Sequence, residues 1–118
     1  MTNRKDNDYL NGVPELLLLR LLGRQPMHGY ELVQAIKLES AGVLSFGESC
    51  VYPILHRLAA EGSLSEKREV VQGRSRVVYR LTAAGKRRLN AATAHWEQIA
   101  AAVAKLLQGD RDGSQALA

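Results

Sequence analysis

The stretch Leu64-Ser65-Glu66-Lys67-Arg68-Glu69-Val70-Val71-Gln72-Gly73-Arg74-Ser75-Arg76-Val77-Val78-Tyr79-Arg80-Leu81 decides the fold. Everything before it repeats its apolar residues at helical spacing, and here the period drops to two. Leu64 to Val71 and Arg76 to Leu81 read as two strands joined around Gln72-Gly73-Arg74-Ser75. In the second, Val77, Tyr79 and Leu81 alternate with Val78 and Arg80, the signature of a half-buried antiparallel strand with Tyr79 in the core. The pair is a hairpin.

Upstream, three helices are expected. Pro14 and Glu15 suit a first turn, Leu16 to Leu22 supply propensity, and Gly23 is the stop. Gln25 to Gly29 reads as a turn. Tyr30 to Glu39 forms a second helix with Leu32, Val33 and Ile36 on one face. After a connection from Ser40 to Gly47, a third helix runs from Ser49 to Glu61, with Val51, Leu55 and Leu58 pointing inward and Gly62 ending it. Pro53 is placed in its first turn, where a missing N–H is tolerated.

Downstream, Thr82 is an N-cap for a long helix from Ala83 to Gln108, supported by nine alanines up to Ala104. Leu89, Trp96, Ile99, Val103 and Leu106 form a heptad-like seam on it. At 1.5 Å per residue the helix would be roughly 39 Å long, more than so small a core can cover. Its far half is expected to pair with another chain. The fold class is therefore mostly α with a two-stranded wing, a winged helix-turn-helix plus one long C-terminal dimerisation helix. Helix three would enter a DNA major groove. The organisation reads as a flexible segment over 1–12, a DNA-binding domain over 13–82, a dimerisation helix over 83–108 and a disordered tail over 109–118.

Composition bounds the function. The chain has 118 residues, 16 Lys+Arg against 12 Asp+Glu and a net charge of +4, which favours a polyanionic partner. No apolar run approaches the roughly 20 residues that span a bilayer. The polar start, Met1 to Asp6, lacks an apolar signal region, so a cytoplasmic location is expected. The single cysteine, Cys50, forbids an intrachain disulfide. His28, His56 and Cys50 show no ligand spacing, and no nucleophile, base and orienting group assemble. Neither metal, cofactor nor catalysis is expected.

Position sharpens the charge. Lys67, Arg68, Arg74, Arg76, Arg80, Lys86, Arg87 and Arg88 are half the chain's basic residues in less than a fifth of its length, opposed there only by Glu69. Such a cluster neutralises phosphates and releases counterions. Double-stranded DNA is the expected partner. Arg74 and Arg76 at the wing tip, with Lys86 behind them, are the phosphate or minor-groove candidates. On helix three, Ser49, Cys50, Pro53, His56 and Arg57 form the groove-facing set, and either His56 or Arg57 has donors suited to guanine. Tyr30 and Tyr52 are evenly balanced between packing and a phosphate contact. Cys50 is read as a small residue permitting close approach rather than as a redox switch.

Three segments, in this order and spacing, resemble the PadR family of bacterial transcriptional regulators. They are His28-Gly29-Tyr30-Glu31-Leu32; Val51-Tyr52-Pro53-Ile54-Leu55-His56-Arg57-Leu58 with Glu61-Gly62; and Gly73 to Gly85 with its Tyr79-Arg80-Leu81-Thr82 core. The resemblance covers about residues 14 to 107, and the single long last helix is similar to the smaller subfamily. One departure lies before the Tyr-Pro pair, where Ser49-Cys50 replaces the family's frequent Gly followed by Ser or Thr. The resemblance implies a homodimeric repressor on a palindromic operator, nucleoid-associated when bound, often responding to phenolic or hydrophobic compounds. A small hydrophobic or aromatic effector would then sit near paired Trp96 side chains, with Val13, Leu17 and Ile99 as walls. The alternative from another class is a winged helix whose basic wing meets an acidic protein.

Overall fold

A computed structural model describes the backbone of residues 4–117 and the side chains of residues 12–109. Its elements are α1 (Arg4–Arg24), β1 (Met27–His28), α2 (Gly29–Glu39), α3 (Glu48–Ala60), β2 (Leu64–Val71), β3 (Arg74–Leu81) and α4 (Ala83–Leu117). The three strands form one antiparallel sheet in the order β1-β3-β2. The mostly helical winged architecture is as expected, with boundaries and one strand that differ.

The core is a leucine cluster. Leu18 and Leu19 of α1, Leu32 of α2, and Val51, Leu55 and Leu58 of α3 are completely enclosed, with Tyr79 of β3 against them. Each such side chain contributes about 1.5–3 kcal/mol by leaving water, so these few positions fix how the three helices sit. The inward face read for helix three is the one observed.

Both ends of the chain depart from expectation. Helix α1 begins at Arg4, so Pro14 lies inside it and the stretch read as flexible is helical from residue 4. A proline inside a helix has the right φ and forfeits one backbone bond there. Likewise α4 continues to Leu117 through the stretch read as a disordered tail. Adding a residue to an existing helix is far easier than starting one. Residues 1–3 and 118 lie outside the described residues.

The sheet has one more strand than the sequence pattern indicated. Met27 and His28, read as part of a turn, pair with Tyr79 and Val78 of β3. A two-residue strand has no period to read. Its pairing makes β3 the central strand, which buries Val78 as well as Tyr79 and breaks the expected alternation. His28 then caps α2: its Nδ1 accepts the Glu31 N–H at 3.3 Å, and its own N–H donates to Glu31 Oε1 at 3.1 Å. The hairpin turn is tighter than read, with β3 starting at Arg74 and positive φ at both Gln72 and Gly73.

The junction from wing to α4 explains the Thr-x-x-Gly spacing. The Thr82 hydroxyl donates toward the carbonyls of Gly62 at 2.7 Å and Ser63 at 2.9 Å, and accepts the Gly85 N–H at 3.0 Å. A Cβ on Gly85 would collide with the Ser63 carbonyl oxygen and approach Leu81 Cδ1 to 2.6 Å. The first turn of α4 is thus seated on the end of α3. Gly85→Ala is expected to destabilise the chain by about 1–3 kcal/mol through this overlap, read as a lowered midpoint in chemical denaturation.

Candidate nucleic-acid interface

Helix α3 presents one stripe away from the core. Its helical period puts Ser49, Pro53, His56 and Ala60 on the side opposite Val51, Leu55 and Leu58, and all four are exposed. Pro53 is the sixth residue of α3, which starts at Glu48, one residue earlier than expected; it therefore lies in the second turn rather than the first, and has no N–H to offer the Ser49 carbonyl. Cys50, a free thiol, is half-buried beside the stripe. His56 and Ala60 share an open groove with Leu64, Ser65 and Glu66, which brings the stripe against the base of the wing.

Tyr52 lies on α3's flank, and Gly29 makes its position possible. A Cβ on Gly29 would fall 2.5–2.6 Å from the Tyr52 ring and hydroxyl oxygen. The Gly-Tyr pair at the start of α2 therefore has a steric cause: helix α3 lays Tyr52 across the first residue of α2. Tyr30, in contrast, is 49% exposed and free of the core.

Arg57 is exposed as well, but its guanidinium is committed within the chain. Its Nη2 donates to Glu15 Oε1 at 2.6 Å, and its Nη1 lies 3.3 Å from Glu61 Oε1. Arg88 of α4 closes the ring, with Nε 2.9 Å from Glu15 Oε2 and Nη1 3.0 Å from Glu61 Oε1. The helical period of α3 turns Arg57 toward α1, a direction that no local pattern in α3 reveals. Two other cations are also committed, Arg24 to Glu39 and Arg80 to Glu69. Among the described residues, Lys67, Arg68, Arg74, Arg76, Lys86 and Arg87 form no salt bridge. These six cations of the wing and the start of α4 thus carry charge that no ion pair within the described residues neutralises. Arg74 and Lys86 are exposed and Arg76 is half-exposed.

The seam on α4 divides at its second turn. Leu89 is only 8% exposed and belongs to the intrachain core, packing beside Gly23, so it cannot serve a partner chain as expected. Trp96 (41%), Val103 (50%) and Leu106 (73%) are open, as is Leu107, which the heptad spacing missed. Ile99 is half-buried.

A cleft of about 180 Å³ lies between α1 and α4, lined by Gly12, Glu15 and Leu16 on one side and Ala92, His95, Trp96 and Ile99 on the other. Trp96 and Ile99, three residues apart on α4, both line this cleft within one chain, whereas the expected slot lay between two chains. Leu17 does not line it but faces α2 beside Ile36 and Leu44, and Val13 is not among the lining residues. Four consecutive leucines carry no phase, so the choice between Leu16 and Leu17 was not legible.

Comparison with known proteins agrees with this geometry. The model of the PadR-like transcriptional regulator family matches residues 18–91. The chain belongs to the PadR-like family of transcriptional regulators. That is a family of regulators and not of enzymes. The chain is similar to the transcriptional regulator Rv3488 of Mycobacterium tuberculosis, 32% identical over 93 residues, 79% of this chain and 84% of that one. It is similar to the crystal structure of smu.1704 from Streptococcus mutans UA159, with a TM-score of 0.76 and 32% identity over 84% of this chain and 90% of that one. Bacillus subtilis PadR, solved in complex with operator DNA, matches at a TM-score of 0.60 and 28% identity, over 66% of this chain and 44% of that one.

Within this PadR-like frame the ionic ring has a pH signature. Burial acts to raise the Glu15 carboxyl, but the hydrogen bonds from Arg88 and Arg57 outweigh it and hold the group below the ordinary carboxylate range. A depressed carboxylate stabilises the fold fully above its unfolded value, near 4.5, and loses that contribution as pH falls through its lowered folded value. Glu15→Gln should therefore be less stable than the parent at pH 7, with the gap closing as pH falls below the ordinary value of 4.5. Urea titrations at stepped pH measure it.

Proposed function

We propose that this PadR-like chain is a sequence-specific DNA-binding repressor that acts as a homodimer on a palindromic operator. The observation that carries the reading is the pairing of two surfaces. The stripe Ser49, Pro53 and His56 stands exposed on α3, while Lys67, Arg68, Arg74 and Arg76 of the wing and Lys86 and Arg87 of α4 form no ion pair, unlike Arg80 and Arg88. The operator complex of Bacillus subtilis PadR supports it from a relative.

In this reading α3 enters the major groove and His56 donates to a base edge, with Ser49 and Cys50 at the groove floor. Tyr30 at the start of α2, Tyr52 on the flank of α3 and Lys86 approach the phosphates, and Arg74 and Arg76 reach the flanking backbone from the wing. Arg57 contributes to reading indirectly, by fixing the end of α3. Exposed Trp96, Val103, Leu106 and Leu107 pair with the same helix of a second copy, because water-exposed apolar side chains at this spacing gain by mutual burial. Two α3 helices would then address grooves about 34 Å apart. The α1–α4 cleft is the place for a small hydrophobic or aromatic effector against Trp96. No helix among the described residues is long and apolar enough to cross a membrane.

Duplex selection from a random pool followed by footprinting tests the reading. Enrichment of an inverted repeat supports it, whereas no protected sequence at any salt overturns it. Arg74→Ala with Arg76→Ala should weaken binding to all sequences and flatten the log K against log salt slope by about one unit per lost phosphate contact. His56→Ala should instead relax preference at one position of each half-site by about 1–3 kcal/mol. Trp96→Ala should raise the concentration at which sedimentation detects the dimer.

A further inference from the structure

The cleft and the reading helix share one side chain. Glu15 lines the α1–α4 cleft, and the same carboxylate bonds Arg57 of α3 at 2.6 Å and Arg88 of α4 at 2.9 Å. On α4, Arg88 and Ala92 are one turn apart on the same face, so the cleft's wall runs directly into the ring. We infer that Glu15 is the positioning residue through which occupancy of the cleft is read by α3, an inference that rests on the DNA-reading role proposed above for that helix.

The physical argument is one of shared acceptors. Glu15 uses Oε1 for Arg57 and Oε2 for Arg88, and Glu61 offers its Oε1 to both arginines. The four groups form a neutral ring joining α1, α3 and α4. Glu15 is 18% exposed, with its two oxygens already engaged by guanidinium donors. A molecule that fills the cleft presses on a carboxylate that cannot move without releasing one arginine. If Arg88 is released from Glu15, α4 loses its ionic tie to α1; if Arg57 is released, α3 loses its ionic tie to α1 and keeps only the Glu61–Arg88 pair to α4. Either change alters the angle between the reader and the helix that pairs the protomers, and half-site register depends on that angle. The leucine core touches the same cleft through Leu16, but its contacts are apolar and hold no ion pair that an occupant could release.

A cleft-filling substitution stands in for the unidentified occupant. Affinity for the duplex selected by the unmodified protein is compared among that protein, Ala92→Phe, Glu15→Gln and the double variant. Ala92→Phe is expected to lower affinity about tenfold in the parent, a typical coupling magnitude. In the Glu15→Gln background it should change affinity by less than about twofold, the range of independent sites. Affinity for a random-sequence duplex, which reports the phosphate contacts alone, should stay unchanged throughout. A merely structural Glu15 would leave the two effects multiplicative. Equal fold-changes in both backgrounds, or none in either, overturn the inference while leaving the DNA reading intact; failure of the parent to select any duplex overturns that reading instead. Circular dichroism verifies that each variant is folded, and Ala92→Met replaces Ala92→Phe should the larger side chain unfold the chain.

Discussion

A carboxylate at the meeting point of three helices constrains this molecule more than any other polar group. Glu15 is held between Arg57 and Arg88, with Glu61 balancing the second positive charge. Taking such a group out of water costs several kcal/mol unless its oxygens are satisfied, and removing one partner of a buried pair is far worse than never having built it. The ring therefore specifies an arrangement rather than adding bulk stability. Helices α1, α3 and α4 meet so that Glu15, the least exposed of the four groups, has both oxygens bonded, above the leucine core that packs the same helices.

That constraint separates charge used inside the fold from charge left for a partner. A net excess of +4 says little about partners, because cations can be consumed internally. Here Arg24, Arg57, Arg80 and Arg88 are consumed. The other cations of the wing and the start of α4, Lys67, Arg68, Arg74, Arg76, Lys86 and Arg87, are not, and they lie together in the chain. A lone sequence count makes the basic cluster eight residues strong, and the ion pairs of Arg80 and Arg88 reduce it to six. The subtraction sharpens the site, since what remains is concentrated on the hairpin and two residues of α4.

The long helix shows the same division between inside and outside. Its first turns are spent on the core, with Gly85 against Ser63 and Leu89 beside Gly23, and only beyond them does its apolar face come free. A heptad count cannot see where one use ends and the other begins, because the spacing continues unbroken across the change. The same is true of the leucine run in α1, where Leu17 faces α2 and Leu16 faces α4.

The order of elements, the inward face of α3, the hairpin and the family motifs were all legible in the sequence. Each rests on local chemistry: a helical or strand period, a turn, a cap, or a glycine beside a bulky neighbour. The third strand, the partner of Arg57, the placement of Leu89 and the choice of Leu16 over Leu17 depended on the tertiary structure. These are decided by contacts between residues far apart in the chain, such as Glu15 with Arg88 and Met27 with Tyr79. A local pattern states which side chains need burial or a counter-charge, and only the packed chain determines which neighbour supplies it.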